Sequence, residues 1–294
     1  MDVTQALAET QQLVNAALEQ YLPADDELPT AIVPAMRHAL AGGKRVRPLL
    51  VIRAAQAFGL DAGSVLPTAC GIEMMHCATL VHDDLPCIDD ADLRHGRAAA
   101  HVAFDEATAV LAADALIIFG FECVARQAEP GLVPPQSVLQ CLREFAEYTG
   151  PRGLITGEAL DIETEHRPYT EQELEFIHLN KTAKLIIFSA RAGAILAGAP
   201  ADALSTLTDY AEALGLLFQI TDDLLDVTST AEEMGKPVGA DAEAGKATYP
   251  GLLGLAAAQK RAEDVAARAM AAARQLPDSD VWVSLAEFIV QRRK

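Results

Sequence analysis

The sequence has few aromatic and few basic residues, and both shortages limit what the protein can be. Aromatic residues make up 5% of the 294 residues against 51% hydrophobic residues overall, so the core must be built mainly from aliphatic side chains. Lysine and arginine number 23 against 42 acidic residues, which gives a net charge of −19. A surface this acidic repels nucleic acid and anionic membrane, because binding to phosphate needs a basic footprint. A phosphorylated substrate would therefore need a local basic cluster or metal ions.

Paired cysteines, a leader segment and a long apolar run are also missing. The five cysteines form no C-x-x-C pair, so we expect reduced core residues rather than disulfides or zinc ligands. The first residues, MDVTQALAETQQ, have neither the basic start nor the apolar run of a signal peptide. Charges interrupt the most apolar stretches within about 18 residues, which argues against a membrane span. We therefore expect a cytoplasmic protein.

Apolar residues recur at helical spacing along nearly the whole chain, and no convincing alternating run indicates a strand. The predicted helices cover residues 3–21, 28–41, 47–58, 64–85, 102–127, 136–149, 170–197, 202–226, 250–274 and 278–291. No long linker and no fixed-period repeat divides the chain. The sequence therefore predicts an all-α protein, an antiparallel helical bundle with a single domain spanning residues 1–294.

Two acidic clusters each follow an apolar helix: DDLPCIDD at residues 83–90 and DDLLD at residues 222–226. Asp222 and Asp226 are four residues apart, so both carboxylates lie on one helical face, where a cation such as Mg²⁺ relieves their repulsion. Asp89 follows Asp83 by six residues, so we expect the helix to loosen at Pro86 and let Asp89 return. One such cluster is more often solvated surface charge, but two clusters after apolar helices favour a metal site.

The segment GGKRVRP at residues 42–48, here called the basic turn, is the counterpart of these clusters. Glycines allow close backbone approach, and three cations within four residues form a seat for an anion. Short basic turns are common in proteins. In a chain of net charge −19, this one is more informative.

With these motifs in view, the chain resembles the trans-isoprenyl diphosphate synthases, the family of the farnesyl and geranylgeranyl diphosphate synthases, over about residues 28–262. The motifs that carry the resemblance are GKRVRP at 43–48, EMMH at 73–76, Asp83-Asp84, GEALD ending at Asp161, Lys181-Thr182, FQITDD at 218–223, and the GK, GAD and GK segments at 235–236, 239–241 and 245–246. Each motif is common alone, but the ordered set is specific. The family implies helices around a deep cavity, usually in a homodimer.

The resemblance also implies a role for each candidate site residue. The magnesium ligands would be Asp83 and Asp89 from one wall and Asp222 and Asp226 from the other, with Asp84 and Asp223 as coordinating or supporting carboxylates and three ions expected. The allylic diphosphate would be bound by Arg94, Lys181, Lys236 and Lys246. Isopentenyl diphosphate would be bound by Gly43, Lys44, Arg47 and His76. Thr182 and Gln219 would offer oxygen dipoles to the allylic cation, and the released diphosphate would accept the proton.

The sequence departs from the family after the first cluster. Where the family usually has a second arginine and later Pro-Thr, this chain has His95 and alanines at residues 98–100. A neutral imidazole binds diphosphate less well than a guanidinium, so we predict a weaker or pH-sensitive site for isopentenyl diphosphate at His95. Arg97 is the alternative source of the missing charge. His95→Arg is expected to lower the KM for isopentenyl diphosphate.

Product length is expected to depend on the helix before the first cluster. In bacterial and plant members a bulky aromatic residue five positions before the first aspartate accompanies the C15 product, farnesyl diphosphate. This chain has Ala78 there, followed by Thr79, and Met74 and Met75 one turn below could form the floor. Five helical residues span about 7.5 Å, comparable to a growing prenyl tail. The sequence therefore favours geranylgeranyl diphosphate, the C20 product, although Ala78 could instead be a simple packing residue.

Three other interpretations compete with a prenyl diphosphate synthase. A terpene cyclase shares the helical fold but typically carries an Asn/Ser/Glu metal motif and lacks the basic turn. A regulatory subunit without activity stays open because of the changes at His95 and at residues 98–100. An acidic structural protein explains the composition but not the ordered motifs.

Overall fold

Helices supply nearly all of the regular structure in a computed structural model that describes residues 3–25, 27–129, 133–229 and 245–291. In chain order the α-helices are α1 (Val3–Tyr21), α2 (Ile32–Leu40), α3 (Val46–Ala57), α4 (Leu66–Asp83), α5 (Ala100–Ala103), α6 (Glu106–Arg126), α7 (Pro135–Thr149), α8 (Leu154–Thr164), α9 (Glu171–Ile177), α10 (Lys184–Leu196), α11 (Ala201–Thr228), α12 (Tyr249–Leu253), α13 (Leu255–Ala273) and α14 (Ser279–Val290). A 3₁₀ turn (Gly63–Val65) precedes α4, a π-helical segment (His178–Ala183) separates α9 from α10, and two short strands, β1 (Leu93–Arg94) and β2 (Arg97–Ala98), form a hairpin. The predicted all-α fold is confirmed.

The helices group into two units. The first unit is formed by Thr4–Arg143 and Ala192–Gly198, and the second by Met1–Val3, Glu144–Arg191 and Ala199–Lys294. The expectation of a single domain spanning residues 1–294 stays a prediction.

In the first unit, α4 is the central helix and packs mainly against α6, with α2 and α3 on its other sides. Two glycines let α4 and α6 approach closely: a Cβ added to Gly120 would lie 2.7 Å from the carbonyl oxygen of Gly71. At that spacing backbone meets backbone, and alanines such as Ala112 and Ala113 are fully buried. This packing fixes the carboxyl end of α4, where the first acidic cluster begins.

In the second unit, α11 is the central helix and packs against α13, α14 and the π-helical segment. Aromatic residues are rare in this chain, yet several of them fill this core. The Tyr210 hydroxyl donates a hydrogen bond to the carbonyl oxygen of Trp282 at 2.8 Å, and their rings meet edge to face at 5.4 Å. Phe145 and Phe188 stack at 4.9 Å. The contact between Tyr210 and Trp282 holds α11, the helix that carries the second acidic cluster, against α14.

Several predicted helices differ from the structure. The helix predicted over 170–197 is wrong as one element, because the π-helical segment interrupts it. The helix predicted over 250–274 is broken at Gly254, which has φ +79°. Helix α8 was not predicted, since Gly153 and Gly157 weaken its helical pattern. The hairpin was also missed, because two residues per strand cannot show an alternating pattern.

Two helical stretches, Gly63–Asp83 and Glu106–Arg126, are long and apolar enough to span a membrane by composition, a criterion that core helices of soluble proteins also meet. The first is mostly buried in the protein. The second has a mean hydropathy of 1.9, but only 39% of it is buried. Its exposed side carries Leu111 and Ile118, which are 56% and 70% exposed.

No disulfide joins the five cysteines, all of which lie in the described residues. Four of them are buried, as predicted, and burial raises the pKa of Cys77 and of Cys123 to about 12. The prediction is wrong for Cys87, which is exposed in the loop of the first acidic cluster.

Candidate active site

The first acidic cluster folds back on itself after α4. Helix α4 ends at Asp83, and the amide of Asp89 donates a hydrogen bond to the carbonyl oxygen of Asp83 at 2.8 Å. The amide of Ala91 likewise donates to the carbonyl oxygen of Asp84 at 3.2 Å. The backbone of Asp90 adopts φ +49°, a conformation that aspartate tolerates better than most residues. The predicted return of Asp89 toward Asp83 is therefore confirmed.

Asp84 forms an ion pair with Arg94. It is 2% exposed, and both of its oxygens accept hydrogen bonds from Nε of Arg94, at 3.0 and 3.2 Å, while Nη2 of Arg94 also donates to Oδ1. Burial lowers the pKa of Arg94, but the bonds to Asp84 outweigh this and leave it above its ordinary value. Asp84 thus fixes the position of a charged guanidinium beside Asp83.

The hairpin brings His95 to the basic turn. His95 and Gly96 form its two-residue turn with φ +52° and +73°, the positive values that a tight antiparallel hairpin requires. The turn lies over the glycines, since a Cβ added to Gly42 would be 3.5 Å from Cβ of His95. A Cβ added to Gly43 would be 3.8 Å from Nε2 of the same imidazole.

The cations of the basic turn are not equivalent. Arg45 is 3% exposed, and its guanidinium donates to Glu73 at 2.7 Å, to Asn15 at 3.0 Å and to the carbonyl oxygen of Leu40 at 2.5 Å. The expectation that all three cations of the basic turn bind an anion is therefore wrong, because the Arg45 side chain is buried and hydrogen-bonded within the protein.

Lys44 and Arg47 remain the candidate anion ligands of the basic turn. Lys44 is exposed, whereas Arg47 is half-buried, and its Nε is buried without a hydrogen-bond partner in the described part of the chain. Burial lowers the pKa of Arg47, and Glu73 partly offsets this effect.

His76 lies on α4 within a positively charged cluster. Burial lowers its pKa well below the usual range, and the charges of Arg47, His95 and Arg94 add to this effect. The pKa of His95 is also lowered, by burial and then by Arg94. Both imidazoles are therefore neutral at pH 7. The structure thus brings together the predicted ligands Arg47, His76, Arg94 and His95.

In the second unit, the π-helical segment holds Lys181 and Thr182. Nζ of Lys181 lies 3.0 Å from Oε1 of Glu158 and 2.7 Å from Oδ2 of Asp161. The Thr182 hydroxyl donates to Oε1 of Gln219 at 2.8 Å. A π-helical turn re-aims side chains within a helix and frequently occurs at functional sites. Thr182 and Gln219, the two residues expected to offer oxygen dipoles, are therefore hydrogen-bonded to each other, and their role toward the allylic cation stays a prediction.

The second acidic cluster lies near the end of α11, which runs unbroken through it. Asp222 and Asp226 therefore share one helical face, as predicted. Asp223 is 5% exposed, and its Oδ2 accepts a hydrogen bond from the amide of Tyr249 at 2.9 Å. Nε2 of His178 lies 3.8 Å from the same oxygen, and burial lowers the pKa of His178 to about 4. Asp223 is thus positioned by its neighbours.

The carboxylates fit a hard divalent cation. Mg²⁺ prefers oxygen ligands and is usually bound by one or two carboxylates together with water and substrate phosphates. Asp83 with Asp89, and Asp222 with Asp226, each supply such a pair. Within the described residues, no group of three or more His, Cys, Asp or Glu side chains is arranged to hold a metal ion.

The remaining predicted residues are placed as follows. Ala78 is fully buried and Met75 is 4% exposed, while the half-buried Thr79 donates its hydroxyl to the carbonyl oxygen of His76 at 2.8 Å. Lys246 is half-buried in the second unit. Lys236 lies outside the described residues.

Several partners of the site were missed by the sequence interpretation. Glu158, three residues before Asp161 on α8, is the second carboxylate on Lys181. Its helical spacing was a usable signal, had α8 been recognised. No pattern in the sequence predicts that His38 contacts the hairpin or that His178 lies beside Asp223.

Paired carboxylates suited to Mg²⁺ and a cluster of cations suited to diphosphate define a class of metal-dependent helical enzymes that act on diphosphates. The sequence matches the polyprenyl synthetase family over residues 29–281. It is 43% identical to the farnesyl diphosphate synthase of Geobacillus stearothermophilus over 96% of this chain and 93% of that protein. It is also 43% identical to geranylgeranyl pyrophosphate synthase 11 of Arabidopsis thaliana, over 95% of this chain and 79% of that protein.

Solved structures give the same answer. The structure of an FPP/GFPP synthase from Zymomonas mobilis superposes with a TM-score of 0.85 at 33% identity and covers 97% of each chain. This chain belongs to the polyprenyl synthetase family.

Proposed function

We propose that the protein is a magnesium-dependent prenyltransferase that condenses isopentenyl diphosphate with dimethylallyl, geranyl or farnesyl diphosphate and releases diphosphate. The observation that carries this proposal is the cationic cluster in the first unit. The positive charges of Arg47 and Arg94 both lower the pKa of His76 there, beside the neutral imidazole of His95, in a chain whose net charge is −19. Such a cluster serves to bind an anionic group, and the names of the relatives indicate a prenyl diphosphate.

Each candidate residue has a defined task in this reaction. Lys44, Arg47 and His76 bind isopentenyl diphosphate, with the Gly43 backbone beside them. Arg94 and Lys181 bind the allylic diphosphate, together with Lys236 and Lys246. The carboxylates of Glu158 and Asp161 hold the Lys181 ammonium in place, so this group is already positioned when the substrate binds. As the allylic carbon–oxygen bond breaks, the Thr182 and Gln219 oxygens face the developing positive charge without forming a bond to it.

The family is magnesium-dependent, and Asp83, Asp89, Asp222 and Asp226 are the proposed ligands. Bound by these carboxylates, magnesium would neutralise the charge of the leaving diphosphate and so make the allylic diphosphate a better electrophile. Three ions are expected. Asp84 and Asp223 position neighbouring groups, because each is buried and hydrogen-bonded within its own unit. The proton lost from the condensation product passes to the released diphosphate, since no side-chain base occurs among the motifs.

The proposed main product is geranylgeranyl diphosphate. Ala78 has the smallest chiral side chain, and it lies five residues before Asp83 on an unbroken helix, about 7.5 Å along the axis. Ala78→Tyr is expected to shorten the product to C15. Thr79→Ser serves as a control on the same turn. An unchanged product length in Ala78→Tyr would mean that Ala78 only packs against a neighbouring helix.

A homodimer in the cytoplasm is the proposed state. Helix α6 is strongly apolar but is buried over only 39% of its length, and Leu111, Ile118 and Leu139 of α7 are exposed. A second copy covering this face would remove that apolar area from water. Ile118→Lys is expected to yield monomers in light scattering, with Ile162→Lys, an exposed residue of α8, as control. The absence of disulfides suits the reducing cytoplasm.

The function is tested by incubating the purified protein with Mg²⁺, labelled isopentenyl diphosphate and each allylic starter in turn. Chromatography of the dephosphorylated products identifies chain length. A C20 alcohol supports both the activity and the product assignment, and a C15 alcohol supports the activity alone. No incorporation by a folded protein would contradict the proposal and favour a regulatory subunit.

A further inference from the structure

The hairpin carries a second arginine opposite the first. Arg94 on β1 pairs directly with Arg97 on β2, and residues that are directly opposite in an antiparallel pair project from the same face. The His95-Gly96 turn therefore places two guanidinium groups side by side, in addition to the imidazole at its tip.

Arg97 is oriented by a histidine from α2. Nε2 of His38 lies 2.7 Å from the carbonyl oxygen of Ala98 and must donate to it, because a carbonyl oxygen can only accept. Nδ1 of the neutral ring is then an acceptor, and it lies 3.3 Å from Nη2 of Arg97. The ring is supported by an edge-to-face contact with Phe104 at 5.7 Å. His38 thus links the hairpin backbone to the Arg97 side chain.

A pocket lies beside this contact. It is lined by His38, Arg94, His95 and Arg97, together with the small residues 98–100, and encloses about 350 Å³ of space that includes open solvent. Because those small side chains end at Cβ, their wall of the pocket carries no bulky group. The walls of the pocket therefore combine the arginines, the Asp84 carboxylate and small side chains.

The groups of this region differ in how far their charge is already compensated. Arg94 is ion-paired with Asp84 beside the first acidic cluster and Arg45 with Glu73, whereas His95 is neutral because its pKa is lowered. Within the described ranges, Arg97 forms no ion pair, and its hydrogen bond to His38 uses only one of the five N–H groups of the guanidinium. Arg97 is therefore the arginine of the hairpin with both charge and donors available.

We propose that Arg97, oriented by His38, is a binding residue for the diphosphate of isopentenyl diphosphate, and that His38 is its positioning residue. The inference rests on the proposed function and assigns the role to Arg97 rather than to His95, which lies nearer the basic turn. A guanidinium presents parallel N–H groups to phosphate oxygens, and a neutral imidazole at His95 cannot.

The first test measures steady-state kinetics of Arg97→Ala. The KM for isopentenyl diphosphate is expected to rise roughly 10-fold or more, because a charge-assisted hydrogen bond is lost. The kcat and the KM for the allylic substrate are expected to change less than about 2-fold. Arg143→Ala, at an exposed arginine of α7, is the matched control for loss of charge.

The second test separates positioning from folding. His38→Phe keeps the ring against Phe104 and removes Nδ1, and it is expected to raise the same KM less than Arg97→Ala does. In the Arg97→Ala background, His38→Phe is expected to add less than about 2-fold, because it acts through the missing arginine. Full additivity would overturn the positioning role, and thermal unfolding shows whether either variant is damaged.

A binding measurement distinguishes this inference from the proposed function. Calorimetric titration of isopentenyl diphosphate without an allylic substrate is expected to show weaker binding to Arg97→Ala by the same factor. Wild-type protein that incorporates isopentenyl diphosphate, with an Arg97→Ala variant of unchanged KM and affinity, would overturn the inference alone. Wild-type protein that neither binds nor incorporates isopentenyl diphosphate would overturn the proposed function.

Discussion

Two arginines of the basic turn, two residues apart, are expected to respond in opposite ways to the same substitution. Arg45→Met removes a cation that is 3% exposed and hydrogen-bonded to Glu73, Asn15 and Leu40. Glu73, itself 3% exposed, is then left as a buried carboxylate without its partner. Arg47→Met instead removes a cation whose Nε has no hydrogen-bond partner in the described residues.

The expected magnitudes follow from these surroundings. Breaking one side of a buried ion pair costs about 3–5 kcal/mol, so Arg45→Met is expected to lower the Tm by about 6–20 °C. Replacing a half-buried guanidinium whose Nε has no hydrogen-bond partner in the described residues with an apolar side chain of similar length is expected to be neutral or stabilising. Arg47→Met is therefore expected to keep the wild-type Tm while weakening the binding of isopentenyl diphosphate roughly 10-fold or more.

Thermal unfolding by circular dichroism and calorimetric titration of isopentenyl diphosphate measure the two effects separately. The double variant Arg45→Met/Glu73→Leu is the control, because it removes both charges and is expected to recover much of the lost Tm. A similar loss of Tm in both single variants would refute the assignment of Arg45 to stability and of Arg47 to substrate binding. So would an Arg45→Met protein as stable as the wild type.

Three further predictions concern the second unit. His178 has a pKa of about 4 in the folded protein, so the unfolded state binds its proton more readily, and stability is lost as the pH falls below about 6.5. At pH 5 the loss is about 2 kcal/mol, and His178→Asn is expected to show a smaller drop in Tm between pH 7.5 and pH 5; an equal drop would contradict this. Gly157→Ala places a Cβ 2.7 Å from the carbonyl carbon of Asn180 and is expected to displace Lys181, which raises the KM for the allylic diphosphate more than that for isopentenyl diphosphate. Ile155→Ala, at a residue of the same helix that is 58% exposed, is the control, and equal KM values would count against the displacement. Tyr210→Phe removes the hydroxyl that donates to the carbonyl oxygen of Trp282 and is expected to lower the free energy of unfolding by about 0.5–1.5 kcal/mol in thermal melts, whereas an unchanged melt would contradict this.

Regular helices and the spacing of carboxylates were predictable because both depend on local periodicity. Helix α1 has the predicted bounds, and Asp222 and Asp226 share a face because α11 is unbroken. The return of Asp89 was also predictable, since Pro86 and the longer spacing exclude a continued helix. These features need no information about distant parts of the chain.

Features that depend on distant contacts were not predictable. Arg45 and Arg47 look alike in the sequence, and they differ only because Glu73, which lies 28 residues after Arg45, faces one of them. The π-helical segment that holds Lys181 has an ordinary helical composition. The segment packs closely against Gly157, since a Cβ added to Gly157 would lie only 2.7 Å from the carbonyl carbon of Asn180. We infer that this packing stabilises the π-helical turn. Identical local patterns thus acquire different roles through tertiary packing.

The exposed thiol of Cys87 makes the loop of the first acidic cluster chemically addressable in the unaltered protein. The other four cysteines are buried, and burial raises the pKa of Cys70, Cys77 and Cys123, which suppresses their thiolate forms. A maleimide fluorophore or a nitroxide would therefore attach selectively between Asp84 and Asp89 without any mutation. Its emission or spin relaxation would then report directly on the arrival of ions and substrate at that loop.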